Sequence, residues 1–584
     1  METNQKIETL FRAALNATPE EREKSSDLSI GFSPSEDSWE VIVQFSGNLS
    51  DIAAKYPQVQ VVELLNNYGI LQIPSSLIDA VASENIITYM EKPKQLFYEA
   101  AEGKRASCIT SLQTRIPNLT GRGVLVGIID SGIDYAHPDF QNPNNTTRIT
   151  ALWDQTIPSE TVTDGAPPAQ YPFGTLFTSD TINRALETND PQTRYSICPS
   201  QDISGHGTHV AGIAAGNGRA SNGVYRGIAY ESDLIVVKLG IPGPNSFPST
   251  SLLMMAVDFC VRESLARNMP LVINLSFGNT YGSHSGSSLL ETYLDSVAML
   301  GRSSIVVGSG NEGASNGHTS GILTPSQSQT IEFSISDYTT ALNIQLWKNF
   351  WDEFTITLSP PVGAGITIPS SLGTWRYPFG ETDVYSYNGE PTPYSPFQEI
   401  YLDFLPQNSY LTSGVWTLRL TPQKIRNGQW DMWMPASAIR NQATAFLRPT
   451  PDTTLTIPST ASRVITVGAY DSRQNIIAPF SGRGFTWNNQ LVKPDIVAPG
   501  VDIISCSPGG GYVSRTGTSM ATPFVTGAAA LLMQWGILDG NDTFLYGEKM
   551  KAYLINGAGS LPAFSQYPNP QTGWGTLCAF NSIF

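Results

Sequence analysis

Three short segments carry side chains that can do chemistry together. Residues 126–134 read VGIIDSGID, residues 204–212 read SGHGTHVAG, and residues 516–523 read TGTSMATP. Asp130 closes an apolar run and is followed by Ser-Gly, where a carboxylate can hold an imidazole in one tautomer and stabilise the imidazolium. A strand-end Asp that merely caps a turn would look the same in isolation. His206 has a glycine on each side, so the backbone can approach closely and the ring can face a cleft. Neutral imidazole is the natural base for a hydroxyl proton near pH 7. Ser519 opens an apolar helix among small residues. A lone serine there reads first as a helix cap, but the helix dipole would also favour a developing anion, and the serine's own N–H can donate to it. In the order Asp, His, Ser, the three specify an orienting carboxylate, a general base and a nucleophile. The chemistry is nucleophilic acyl transfer through a covalent acyl-enzyme. His209, three residues after His206, makes an H-x-x-H pair, but no third ligand accompanies it and it is left out of the site.

These residues need a rigid frame. Val124–Asp130, Leu234–Leu239, Leu271–Phe277 and Ser304–Ser309 read as buried parallel strands. Between them, Leu252, Leu253, Ala256, Val257, Cys260, Val261 and Leu265 repeat at helical spacing, as do Leu289, Leu290, Tyr293, Leu294 and Val297. The alternation predicts an α/β fold, a doubly wound parallel sheet. Its ligand crevice lies at the carboxyl ends of the strands, where Asp130 sits.

Two further modules flank and interrupt that frame. The strand Trp39–Gly47, a helix at Leu49–Tyr56, the strands Val59–Leu65 and Tyr68–Pro74, a helix from Ser75 and the strand Asn85–Tyr89 give the order β-α-β-β-α-β, a ferredoxin-like α+β pattern. From about Gly321 to Ser459 helical periodicity fades. Short alternating runs (Thr330–Ile335, Ala341–Leu346, Phe354–Leu358, Glu399–Phe404, Val415–Leu420, Gln429–Trp433) predict an antiparallel β-sandwich. The α/β signal resumes at Val464–Gly468. The expected division is 1–98, 99–320, 321–459 and 460–584, with the second and fourth segments forming one domain around the third.

Composition narrows the partners. The net charge of −16 disfavours nucleic acid and anionic membranes as partners, although solubility alone would explain it. The five cysteines are scattered and odd in number, with no C-x-x-C pair; neither a disulfide framework nor a zinc site is expected, and a reducing compartment fits best. The polar start METNQK carries no secretory signal, and no uninterrupted apolar run is long enough to span a bilayer. The expectation is a protein kept inside the cell.

The three motifs closely resemble those of the subtilisin-like serine proteases (subtilases), which share this chain order of the triad. The resemblance implies catalytic roles for Asp130, His206 and Ser519. It also implies that Asn311, in VVGSGNEG, donates to the oxyanion, where a plain turn Asn is the alternative. Ser276, Phe277 and Gly278 resemble the strand that pairs with an extended substrate backbone, and the N-terminal module resembles a propeptide that blocks the cleft. No cofactor and no metal are expected. Asp139 matches a calcium-ligating position of some subtilases, but the loop Asn217–Tyr225 does not clearly match the rest of that site.

The combination of modules, including Met90-Glu91-Lys92-Pro93-Lys94 at the propeptide end, resembles the clostridial Csp proteases over nearly the whole chain. That likeness implies an inserted jelly-roll, self-cleavage between about Lys92 and Arg105, and a propeptide that stays bound. It implies packaging in the spore, with a protein zymogen, a cortex-lytic hydrolase activated at germination, as the polypeptide substrate. A general intracellular protease and a sensing scaffold with an occluded triad are the alternatives.

Overall fold

Runs of β-branched and aliphatic residues become the strands of the central sheet because both of their faces are covered. The computed structural model describes residues 5–25, 27–94, 97–98, 105–114, 118–240, 248–392, 395–488 and 490–583. Two compact units emerge. One comprises Met1–Gln95, Asn279–Leu289 and Glu312–Ile457; the other comprises Leu96–Gly278, Leu290–Asn311 and Pro458–Phe584.

The second unit is built on a nine-stranded sheet. Its central strand, Leu125–Asp130, is buried at every position and lies between Leu271–Leu275 and Asp233–Lys238, parallel to both. Ser303–Gly308 and Ile465–Asp471 extend it in parallel on one side. Ile149–Asp154 extends it on the other, capped by the antiparallel Thr175–Thr178. The expected α/β architecture is present. Ile149–Asp154, Thr175–Thr178 and Ile496–Pro499 are additional strands, too short or too polar in their flanks to stand out by periodicity.

The helices His206–Ala215 and Thr518–Met533 are buried along their whole length and pack against each other. Of the described helices, one, Thr518–Leu538, is long and apolar enough to cross a membrane; 89% of its apolar window is buried inside the protein, so it is a core helix. Cys108 and Cys578 form a disulfide, 470 residues apart in sequence. This corrects the expectation that the cysteines stay unpaired, and it removes the basis for inferring a reducing compartment. Spacing could not reveal a pair brought together only by the fold.

The first unit joins the N-terminal module to the inserted strands. Ser38–Phe45 pairs with Tyr68–Pro74 on one side and Ile87–Glu91 on the other, and Tyr68–Pro74 pairs with Gln60–Glu63, all antiparallel. With helices at Ser50–Lys55 and Ile78–Ala82, this is the ferredoxin-like order. Two earlier helices, Thr9–Asn16 and Pro19–Lys24, escaped the sequence reading. The second was legible: Thr18 and Glu21 form a capping box around a proline at the first helical position.

The insertion is an antiparallel sandwich of a six-stranded and a five-stranded sheet with one apolar core between them. Two of its strands, Gly373–Phe379 and Thr382–Asn388, form a hairpin that the periodicity did not show. Tyr385, Tyr387, Tyr401 and Leu405 of the sandwich pack into the core of the N-terminal module, and Tyr385 Oη donates to the Ala13 carbonyl at 2.9 Å.

Lys92 is wholly buried in this unit. Its ammonium lies 3.3 Å from Asp27, itself wholly buried, and donates to the Pro93 carbonyl at 3.0 Å. Burial pushes the lysine's pKa down, and Asp27 opposes that shift. Removing one member of such a pair strands the other charge in a dry interior. Asp27→Ala is therefore expected to destabilise the full chain by about 3–5 kcal/mol, measured by urea unfolding beside the unsubstituted protein.

Candidate functional site

Asp130 is the last residue of the central strand, and its carboxylate points at the first turn of the His206–Ala215 helix. Its Oδ1 accepts from His206 Nδ1 at 2.6 Å and from the Ser131 N–H at 2.7 Å. With Nδ1 as the donor, the lone pair of a neutral ring is left on Nε2. Asp130 is wholly buried and His206 nearly so. No described residue hydrogen-bonds Asp130 Oδ2.

That approach is possible because of the glycines around the histidine. A Cβ on Gly207 would stand 2.1 Å from the Gly132 carbonyl and 3.2 Å from Asp130 Oδ1. Gly205 has φ +69° and precedes the helix in a left-handed conformation, where other residues are strained.

A second tier of groups, missed in the sequence, secures the histidine. Asp202 is buried, and its Oδ1 accepts from Ser131 Oγ at 2.7 Å and from the Gly205 N–H at 3.0 Å. Its Oδ2 accepts from the Thr208 N–H and Oγ1 at 2.8 and 2.7 Å. Ser131 Oγ in turn accepts from the Gly207 N–H at 2.9 Å, and Ser204 Oγ accepts from the His206 N–H at 3.1 Å. These bonds satisfy the first helical N–H groups, which have no acceptor inside the helix. The legible signal was an Asp four residues ahead of the His, the type that caps helices.

Ser519 is the second residue of the Thr518–Met533 helix. Its Oγ donates to the Ser276 carbonyl at 2.7 Å, and Ser276 Oγ donates back to the Ser519 carbonyl at 2.9 Å. The return bond has a cause in the sequence. Pro523 lies four residues after Ser519 and has no N–H to give that carbonyl, so Ser276 fills the vacancy. Ser276 is held by Asn274 Nδ2 at 2.8 Å, and Asn274 by Thr526 Oγ1 at 2.9 Å.

Asn311 Oδ1 accepts from the Thr518 N–H at 3.1 Å, which fixes the amide and leaves Nδ2 without a described partner. His209 and Met520, the neighbours of His206 and Ser519 one turn or less away, meet at 2.8 Å and tie the two helix starts together. His209 Nε2 also contacts the Ile503 and Val513 carbonyls. Burial lowers its pKa to about 3, so it stays neutral. It is a structural histidine, outside the site as expected.

The backbone of Phe277–Gly278 pairs antiparallel with Phe97–Tyr98, in the register Phe277↔Tyr98 and Gly278↔Phe97. The segment expected to receive an extended substrate thus carries a strand of the protein's own chain. Positions 99–104, within the expected self-cleavage range, lie outside the described residues.

Asp139 does not stand open to a cation. Its Oδ1 accepts from the Ala220 N–H, and its Oδ2 accepts from Tyr512 Oη at 2.8 Å and from Cys506 Sγ. His137, Asp139 and Cys506 are the one group of such side chains among the described residues whose ligand atoms converge within 4.8 Å. The groups already hydrogen-bond to one another and to the backbone, so a metal would have to displace those hydrogens.

Gly207→Ala is the sharp test of the close approach at Asp130. The added methyl meets backbone, which cannot swing aside, and the variant is expected to lose at least about 1–3 kcal/mol in thermal unfolding of the full chain.

Comparison with known proteins agrees with this geometry. Residues 5–94 match the model of the Csp protease B prodomain, and residues 121–394 and 438–575 match that of the subtilase family. The chain is similar to the solved structure of the Clostridium perfringens CspB protease, with 35% identity, a TM-score of 0.75, and coverage of 82% of this chain and 96% of that one. It is 25% identical to the minor extracellular protease Vpr of Bacillus subtilis, over 80% of this chain and 52% of that protein. It is 43% identical to serine protease AprX of the same organism, over 18% of this chain and 26% of that protein. The chain thus spans about half, or less, of these two relatives. The family match covers most of the chain, and the chain belongs to the subtilase family.

Proposed function

We propose that this chain is a serine endopeptidase that first cuts itself and then activates another protein by limited proteolysis. In this reading His206 Nε2 takes the Ser519 proton and the alkoxide attacks the peptide carbonyl. The Ser519 N–H and Asn311 Nδ2 hold the oxyanion, and water then releases the acyl group. Asp130 orients the ring and stabilises the imidazolium. Attack requires the Ser519 hydroxyl to turn from the Ser276 carbonyl toward the imidazole.

The observation that carries the reading is the pairing of Phe97–Tyr98 with Phe277–Gly278. Extended peptides bind proteases by such strand addition. The register runs toward Ser276, whose carbonyl receives the Ser519 hydroxyl. The chain leaves this pairing in the direction of the expected cleavage range, and the first cut is expected between about Lys92 and Arg105. The module 1–98 is then a prodomain, and its tail remains in the cleft as a product-like inhibitor. The likeness to the Csp proteases supports a protein zymogen, a spore cortex-lytic hydrolase, as the later substrate, and a place inside the spore.

Intact-mass measurement of the unsubstituted chain beside Ser519→Ala tests the first step. The unsubstituted chain should yield two co-eluting fragments split between about Lys92 and Arg105, and Ser519→Ala should stay whole. If neither chain is cut, the reading of a sensing scaffold with an occluded triad gains.

Asn311→Ala tests the oxyanion assignment. Turnover of a purified zymogen should fall about 10²–10³-fold, the loss observed when such a donor is removed from a subtilisin. A similar KM would show that substrate still binds.

A further inference from the structure

In the first unit a small, partly open pocket lies among three stretches of chain: the N-terminal module, the loop Asn279–Leu289 and the inserted sandwich. Its volume is about 60 Å³, room for roughly four or five waters. Its wall is unusual in charge. Glu8, Glu91 and Glu399 line it with a single ammonium, Lys94. Lys94 is fully committed, at 2.7 Å from both Glu8 and Glu91, and Glu91 also accepts the Leu289 N–H.

Glu399 is different. It is 4% exposed and lines the cavity, and no described residue donates a hydrogen bond to its carboxylate. A buried carboxylate without a hydrogen-bond donor is expensive, and Lys94, which acts on it, is already paired with Glu8 and Glu91. Three rings, Tyr89, Trp347 and Phe397, line the same space. Carboxylate beside aromatic rings is the combination that recognises organic ammonium groups.

We propose that this cavity is a binding site for a small organic cation, a primary ammonium of a few heavy atoms, with Glu399 as its counter-ion. The donor set argues against a metal. The acidic ligand atoms here do not converge; the one converging group among the described residues is elsewhere, at His137, Asp139 and Cys506. The proposal is independent of the proteolytic reading.

Protons stand in for the cation when it is absent. Burial, reinforced by Glu8, raises Glu399 to about 8. Burial raises Glu8 to about 7 against the pull of Lys94. Lys94, Glu8, Glu91 and the more distant Asp27 act on these two groups, and Glu390 lines the cavity. A bound cation must displace those protons, so binding should tighten as pH rises from about 7 to above about 8.

The test uses the full-length Ser519→Ala chain, so that self-cleavage plays no part. Methylammonium chloride is titrated by calorimetry and by thermal melting, against sodium chloride at equal ionic strength and against calcium chloride. The expected result is saturable binding of methylammonium, tighter at the higher pH, weakened at least tenfold in Glu399→Gln and several-fold in Trp347→Leu. Glu399→Gln removes a buried charge and keeps the side-chain shape, so its melt without ligand should remain cooperative. If Glu399→Gln unfolds, Trp347→Leu alone must show the loss. The proposal is overturned if methylammonium does no more than sodium, if calcium alone binds, or if both variants bind as the parent chain does.

Discussion

The catalytic unit depends on how closely the His206 helix approaches the end of the central strand. Gly207 sits so near the Gly132 carbonyl that no side chain fits between them, and this brings the imidazole to 2.6 Å from Asp130. In a buried setting a hydrogen bond to a carboxylate is stronger than in water and more sensitive to geometry. The rest of the local structure serves that contact. Asp202, Ser131 and Ser204 occupy the N–H groups at the helix start, so the helix is anchored by polar bonds at the end that carries the histidine and by close packing elsewhere.

Ser519 is positioned by a different device. Pro523 removes one helical hydrogen bond, and the freed Ser519 carbonyl is claimed by Ser276. The start of the helix is thereby bonded to the segment that carries Ser276. A proline inside a helix normally costs stability, because an internal carbonyl loses its N–H partner. Here it opens an acceptor that joins the Ser519 helix to Ser276. The neighbouring Phe277–Gly278 pairs with Phe97–Tyr98 of the protein's own chain.

The first unit follows another logic. Its core is shared between the N-terminal module and the sandwich, and buried charges lie among its elements. Lys92 with Asp27, and Lys94 with Glu8 and Glu91, are paired inside the protein. Pairs of this kind contribute less to stability than apolar packing of the same volume but tolerate few alternative arrangements. Glu399 departs from the pattern because no described residue donates a hydrogen bond to it and burial raises its pKa to about 8.

Much of this was legible in the sequence. Apolar runs of fixed length bounded by glycine and polar residues gave the buried strands, because strands covered on both faces must be apolar throughout. The motifs around Asp130, His206, Ser519 and Asn311 were legible because close approach, helix starts and strand ends each demand particular residue types at particular offsets. Asp202, Ser276 bonded to Ser519, the partners of Lys92 and the Cys108–Cys578 bond were not legible. Each joins residues distant in sequence, or a residue type with many other uses. Local sequence determined which elements form and which side chains have suitable chemistry, since propensity and periodicity act over a few residues. Tertiary structure alone decided which groups meet, because burial, hydrogen-bond satisfaction and charge pairing depend on distances that folding sets.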